Sequence, residues 1–349
     1  MTSVLIVGTG LIGTSIGLAL GGRDVWLSDA DPSSAALAAD LGAGLAHDGR
    51  PVDLAVLAVP PAAVASTLLS AQRDGVARCY TDVASVKQLP VAQAVAAGCD
   101  MAVYVPGHPL AGREKHGPAA GRADLFLGRT WAVCSTPWAS ADAGTAVDWL
   151  ITVCGATRVD TDPATHDRWV ALTSHAPHVV AAAMAARLEN ADGRALDVAG
   201  QGLRDVTRIA AGDTALWTQI LTANAGPVAA VLADVAADLA EVARLLADES
   251  GTKATAELLD RGRAGVDRIP GKHGALAPVF TQVQVVIRDQ PGELTRLFDV
   301  AGTAGVNIED IRIEHSPGLP VGVAELSVRP DETTALLSAL RAGGWRVYS

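Results

Sequence analysis

Aromatic side chains are scarce, at 4 % of 349 residues, so the core must be packed from Ala, Val and Leu rather than rings. Basic charge is short too: 27 Lys and Arg stand against 38 Asp and Glu, a net charge of −11. An acidic chain without a basic block is a poor ligand for nucleic acid or an anionic membrane, and any anion it binds must be held by a local pocket. Cysteine is limited to Cys79, Cys99, Cys134 and Cys154, with no CxxC pair and no zinc-like spacing, so no metal site is expected. Free thiols in a reducing compartment are the plain reading. Mean hydropathy is +0.27, yet no clean run of 18 apolar residues forms a membrane span. Residues 4–20 have the apolar content of a secretion signal but lack its basic start and its cleavage site, so the chain reads as cytoplasmic.

What is present is enough for several cores. Hydrophobic residues make up 49 % and charged ones 19 %, which excludes a disordered chain. At roughly 150 residues per domain the length implies two or three domains. In the first, residues 1–160, β-branched runs at Val4–Val7, Val25–Leu27, Leu54–Val59, Arg78–Thr81, Ala102–Val105 and Thr130–Cys134 alternate with Ala-rich helical stretches. That alternation predicts an α/β domain, a doubly wound parallel sheet covered on both faces. Residues 161–262 lose the strand signal. Val228, Val231, Leu232, Val235, Leu239, Val242, Leu245 and Leu246 form one apolar stripe on a long helix, suited to a domain core and a dimer interface at once. Arg261–Pro278 holds four Gly and two Pro, and its residues 263–278 read as a linker. Residues 279–349 follow the order βαββαβ, the ferredoxin-like arrangement.

The densest motif is Gly8-Thr9-Gly10-Leu11-Ile12-Gly13, between the first strand and the first helix. The first Gly permits the tight turn, the second lets a pyrophosphate approach the backbone, and the third lets helix and strand pack closely. The helix N-terminus directs partial positive charge at the phosphates. Asp29, 21 residues after Gly8 at the end of the second strand, is placed to accept both ribose hydroxyls. With Asp31 beside it and no Arg in residues 30–34, a 2′-phosphate would meet two carboxylates, which favours NAD over NADP. Val59 and Pro60, after the third strand, form either a wall of the adenine side or an ordinary strand end.

A nicotinamide site needs a proton acceptor, and imidazole suits that role near neutrality. His108 lies just past a strand in Val105-Pro106-Gly107-His108-Pro109-Leu110-Ala111-Gly112, at the sheet edge where ligands bind. It reads as a stiffly held base or as a loop histidine bonding backbone. Ser85, in Asp82-Val83-Ala84-Ser85-Val86-Lys87 at the same edge, either donates to a substrate hydroxyl or orients His108, or else caps the next helix. Ser174-His175-Ala176-Pro177-His178 lacks the acidic partners of a metal site and reads as a polar helix edge facing the first domain. Arg204 and Arg208 lie four apart, offering a fork for a carboxylate or an ordinary ion pair.

Taken in order, the glycine turn, Thr81–Lys87, Gly107–Gly112 followed by Glu114-Lys115, Thr173–His178, Thr207–Ala210 and Trp217 resemble the prephenate/arogenate dehydrogenase family over nearly the whole chain. The resemblance implies a Rossmann-type domain, an all-α dimerisation domain and a C-terminal ACT domain. It implies NAD-dependent oxidative decarboxylation of prephenate in tyrosine biosynthesis, or of arogenate, by a homodimer. It makes His108 the catalytic base, assisted by Ser85, and Arg208 the holder of a substrate carboxylate. His178 would contact substrate, with Ser174 beside it. His175 and Glu114 would sit at the pocket mouth, and Trp217 would close one wall. Asp289, Pro291, Gly292, Leu294 and Asn307 match the loop and second strand of an ACT module, which implies tyrosine as effector or a purely structural module.

Two other readings have less support. Hydroxyacid and imine reductases of similar plan place a Lys on a helix of the second domain, and no Lys occurs between Lys115 and Lys253. An amino-acid sensor with an inactive dinucleotide domain would not need the chemical groups found here.

Overall fold

The computed structural model describes residues 2–22, 24–112, 115–246, 251–269, 280–315 and 320–348. The chain divides into two compact units, Met1–Arg244 and Leu245–Ser349.

The first unit is built on eight strands. They are β1 (Val4–Val7), β2 (Val25–Ser28), β3 (Leu45–Ala46), β4 (Val52–Leu57), β5 (Ala77–Asp82), β6 (Tyr104–Pro109), β7 (Thr130–Cys134) and β8 (Thr157–Thr161), ordered β3-β2-β1-β4-β5-β6-β7-β8. Helices α1 (Leu11–Ala19), α2 (Pro32–Asp40), α3 (Val64–Arg73), α4 (Gln88–Ala96) and α5 (Ala141–Val153) cover the sheet. Side chains of β1 alternate between its faces: Val4 and Ile6 enter the core that holds Ile16 and Val147, while Leu5 enters the one that holds Val64, Leu68 and Ala94. The order of strands reverses between β1 and β4, which opens a crevice at their carboxyl ends.

The sheet departs from the all-parallel expectation at β7. Tyr104, Val105 and Pro106 of β6 pair in parallel with β5, whereas Gly107, His108 and Pro109 pair antiparallel with β7. His108 therefore lies inside a strand rather than in the loop beyond it. Burial of Trp131 and Val133 of β7 in the same core as Ile6 fixes that strand's register, and its direction follows from its connection rather than its side chains. The polar edge strand β8 carried too weak a pattern to be anticipated, whereas helix α5, with Ala143, Val147, Leu150 and Ile151 at helical spacing behind the Ser140 cap, was legible and went unnamed.

The rest of this unit is helical, as expected: α6 (Pro163–Val170), α7 (Ala176–Ala186), α8 (Gly193–Asp197), α9 (Gln201–Thr207), α10 (Thr214–Ala223) and α11 (Ala225–Leu245). Asp162 caps α6 by accepting from Ala164 and Thr165 N–H, and Pro163 opens it where no N–H is required. Between α6 and α7 the helix widens into a π turn, Ala171–His175. Pro177, near the start of α7, cannot donate to the carbonyl four residues back, and the wider turn absorbs that loss. The apolar stripe of α11 is only half covered: Val228 is buried, but Leu239 is 57 % exposed.

In the second unit, helix α12 (Gly251–Val266) contains residues 263–266, which were expected to begin the linker. Gly262 and Gly265 do not break it, because in an exposed helix each costs only about 1 kcal/mol. Residues 270–278 of the expected linker lie outside the described residues. Strand β9 (Thr281–Arg288), α13 (Glu293–Thr303), β10 (Asp310–His315), β11 (Val321–Val328), α14 (Thr333–Ala342) and β12 (Arg346–Tyr348) follow in the order βαββαβ. Their sheet is antiparallel, ordered β10-β11-β9-β12, over a core of its own around Val283, Leu297, Leu326 and Leu336. Among the described residues no single helix is long and apolar enough to cross a membrane, and no cluster suited to a metal ion occurs.

Candidate active site

The glycine turn sits at the crevice. Gly8 has φ +101°, and a Cβ on it would lie 2.2 Å from the Ala58 carbonyl oxygen. A Cβ on Gly13 would lie 1.9 Å from the Gly8 carbonyl oxygen. Both positions therefore exclude any larger residue. Gly10 differs: nothing lies within 4 Å of where its Cβ would be, and it caps α1 without a side-chain bond. Leu11, Ile12 and Gly13 thus present first-turn N–H groups that no side chain claims among the described residues, an arrangement suited to an anionic pyrophosphate.

Asp29 is tied into this turn. Its Oδ2 accepts from Thr9 N at 2.6 Å and from Thr9 Oγ1 at 2.9 Å, and its Oδ1 accepts from Asp31 N at 2.9 Å. The carboxylate is half-buried, and its two oxygens offer about four acceptor directions, which leaves room for a hydroxyl donor. Asp31 serves as the N-cap of α2, with bonds from Ser33 and Ser34 that hold its carboxyl below the usual range. Val59 is half-buried beside Gly8 and Pro60 is exposed, at the mouth of the same crevice.

Two strands further along, the buried end of β5 carries charge. Asp82 Oδ1 pairs with Lys87 Nζ and accepts from Ala84 N at 2.8 Å, and Tyr104 donates to Oδ2 at 2.6 Å. Burial, then the adjacent Asp82 charge, pushes the Tyr104 hydroxyl well above its ordinary range, so it stays a donor. Ser85 is half-buried in the bend between them. It does not cap α4: Lys87 precedes that helix with no side-chain cap. The first N–H groups there, on Lys87 and Gln88, donate instead to Asp167 of α6 at 2.8 and 2.9 Å.

His108 joins this network. Its Nδ1 lies 2.9 Å from His166 Nε2, and His166 Nδ1 lies 2.8 Å from Asp167 Oδ1. Desolvation, and then the nearby His166, Lys87 and His175, hold His108 well below the ordinary imidazole pKa, so it is neutral at pH 7. The contacts continue into the helices. Asn224, buried at the corner between α10 and α11, donates to the Asp167 carbonyl at 2.8 Å, with its amide nitrogen 3.0 Å from His175 Nδ1. Burial lowers His175 to about 4. His175 meets Trp217 edge-on, and the His178 ring stacks on Trp217 with centroids 3.5 Å apart. Gly212 presses against both: a Cβ there would lie 2.5 Å from Trp217 Nε1 and 3.1 Å from His178 Cε1.

Of the residues singled out in the sequence, His108, His175, His178 and Trp217 thus belong to one contiguous set. Ser174 is exposed on the π turn. Arg208 is exposed where α9 passes into a tight turn packed on α7, four residues before Gly212, and makes no ion pair among the described residues. Glu114 lies outside the described residues. In the second unit Asp289, Pro291 and Gly292 are exposed around the loop into α13, Leu294 packs on the core, and Asn307 donates to Glu309 at 2.6 Å.

Comparison with known proteins places this geometry. Residues 19–158 match the family model for the prephenate dehydrogenase nucleotide-binding domain, and residues 162–260 match that for the prephenate dehydrogenase dimerization domain. A probable prephenate dehydrogenase, NovF, of Streptomyces niveus is 41 % identical over 362 residues, covering 100 % of both chains. The chain belongs to the prephenate dehydrogenase family.

Another member, the prephenate dehydrogenase of Bacillus subtilis, is 26 % identical and covers 95 % of this chain and 93 % of its own. The crystal structure of a prephenate dehydrogenase from A. aeolicus with hydroxyphenyl propionate and NAD+ shares the fold. It has a TM-score of 0.68 at 24 % identity, over 76 % of this chain and 99 % of that one. In this family member, sequence reading overlooked His166, Asp167, Asn224 and Lys87. No spacing rule marks them: each reads as an ordinary polar residue in or beside a helix, and only the fold brings them near His108.

Proposed function

We propose that this chain catalyses the NAD-dependent oxidative decarboxylation of prephenate to 4-hydroxyphenylpyruvate. The observation that carries the reading is His108: a neutral, half-buried imidazole at the edge of the sheet that bears the glycine turn, linked through hydrogen bonds to the His175, Trp217 and His178 group. The residues present fit NAD. The first-turn N–H groups of α1 and the space over Gly10 would hold the pyrophosphate, and Asp29 would take the ribose hydroxyls. When bound, NAD supplies the acceptor for the hydride lost from the carbinol carbon.

The protein's own part is placement and one proton. His108 takes the proton of the ring hydroxyl as the carbinol becomes a carbonyl. The bond from the ring to its carboxylate then breaks, carbon dioxide leaves, and its electron pair makes the ring aromatic. Ser85 would bond the same hydroxyl, Arg208 the side-chain carboxylate, and His178 with Ser174 the side chain itself. Trp217 closes one wall. His175, expected at the pocket mouth, is instead 1 % exposed between Asn224 and Trp217, too buried to line an opening; the same expectation for Glu114 falls outside the described residues.

Because the neutral form of His108 is the base, activity is present above its pKa and lost as pH falls through it. That pKa lies below the ordinary 6.5, chiefly through desolvation, so the acid limb of kcat/KM should fall below pH 6.5. A pH profile of kcat/KM measures it, and a limb above that value would remove His108 from the role.

The deciding assay follows nicotinamide reduction with prephenate and with arogenate, each with NAD and with NADP. Prephenate with NAD should give the highest kcat/KM, since a 2′-phosphate would meet Asp29 and Asp31. Faster turnover of arogenate would assign the alternative substrate.

The half-covered stripe on α11 supports a homodimer through the helical region. The antiparallel sheet with two helices supports a ferredoxin-like ACT domain in the second unit, with an aromatic amino acid held near Asp289, Gly292 and Asn307. Titrating tyrosine into the same assay tests that regulation, and unchanged rates would leave the module structural. The chemistry fits a cytoplasmic enzyme.

A further inference from the structure

Beneath His108 lie two polar groups that the reaction described above does not use. His166 and Asp167 are each 1 % exposed, so neither meets solvent. A buried carboxylate is costly unless its lone pairs are taken, and here they are. Asp167 Oδ1 accepts from Lys87 N at 2.8 Å and Oδ2 accepts from Gln88 N at 2.9 Å, at the start of α4. Both oxygens already face backbone N–H groups. The hydrogen between Oδ1 and His166 Nδ1, 2.8 Å apart, therefore belongs to the nitrogen.

The rest follows from what an imidazole offers. A neutral ring with hydrogen on Nδ1 presents a lone pair at Nε2. His166 Nε2 lies 2.9 Å from His108 Nδ1, so opposite a neutral His166 the hydrogen between them is donated by His108. The ring centroids lie 5.1 Å apart with the planes 69° apart, a separation that leaves the two ring nitrogens facing each other. Hydrogen on Nδ1 leaves His108 Nε2 bare.

We infer that His166 and Asp167 are positioning residues that hold His108 in the Nδ1–H tautomer, making Nε2 the atom that takes the substrate proton. The inference rests on His108 being the base. An unconstrained neutral imidazole favours the opposite tautomer, which would put a hydrogen where the lone pair is needed. When Nε2 gains the proton, Nδ1–H stays on His166, and the new positive charge is bonded through His166 to the Asp167 carboxylate. No other atom changes partner. Asn224 steadies the pair by donating to the Asp167 carbonyl at 2.8 Å.

The test uses two variants of the full chain. His166→Phe keeps a ring and removes the acceptor, and His166→Gln restores an acceptor in the side-chain carbonyl. With 15N-labelled histidine and no substrate, nitrogen chemical shifts report which atom carries hydrogen. The parent should show His108 with a protonated Nδ1 and a bare Nε2, His166→Phe should lose that preference, and His166→Gln should regain it. In turnover with prephenate and NAD, His166→Phe should lose roughly 10²-fold or more in kcat. Its KM should stay within about threefold, and His166→Gln should return to within about tenfold of the parent kcat.

A bare Nδ1 on His108 in the parent, or a doubly protonated His166, overturns the inference. So does a His166→Phe enzyme with parental kcat. The spectroscopic arm needs no substrate: a protonated Nδ1 in a chain that leaves prephenate unchanged upholds the tautomer and refutes the proposed reaction.

Discussion

Replacing His108 with alanine is expected to lower kcat by roughly 10²- to 10⁴-fold, the range a positioned general base supplies. KM for prephenate should barely move. His108 is neutral, so it contributes no charge attraction to an anionic substrate, and its bond to the hydroxyl matters most while the proton is in flight. The backbone around it is carried by β6 on both sides, through Asp82↔Pro106 and Gly107↔Val133, so removing the ring leaves the strand in place. Steady-state kinetics on the purified variant decides the matter. Full turnover without the imidazole would mean that another group takes the proton.

Arg208→Ala should show the converse: KM for prephenate rises while kcat changes little. A charge-assisted hydrogen bond to a carboxylate is worth about 1.5–3 kcal/mol, or roughly 10- to 150-fold in affinity. The guanidinium is exposed and makes no ion pair among the described residues, so it is available to a dianionic substrate that the net charge of −11 otherwise repels. The turn that carries it packs on α7, the helix of His178. Arg208→Lys should recover part of the loss, because an ammonium keeps the charge but not the fork. An unchanged KM in Arg208→Ala would move the role to Arg204 or Lys115.

Much of this was legible before any coordinate. The glycine turn announced itself because Gly8 and Gly13 are forced by contacts under 2.5 Å that no Cβ survives. Strands β1 and β7 were bounded to the residue, since both faces of each are buried and their apolar runs are unbroken. Strand direction was not legible. Periodicity says which residues are covered, not which way the chain runs, so the reversal at β7 came only with the fold. Edge strand β8 was invisible because its sequence, TRVDT, has one strongly apolar residue.

The site divides the same way. His108 could be found because Gly107 and Pro109 flank it at a strand end. Ser85 was open to reading as a helix cap because Ser before a helix usually is one. The actual cap, Asp167, comes from 80 residues away, and nothing local in either segment encodes it.

That borrowed cap ties two layers of the molecule together. The first turn of α4 belongs to the nucleotide-binding layer, yet its N–H groups end on a side chain of the helical layer, which also anchors the histidine pair. Lifting the helices away would strip the amides of Lys87 and Gln88 of their acceptor and release His108 in the same motion. Separation of the layers and release of the His108 ring are therefore one event, so the junction must be shut whenever that ring is held by His166.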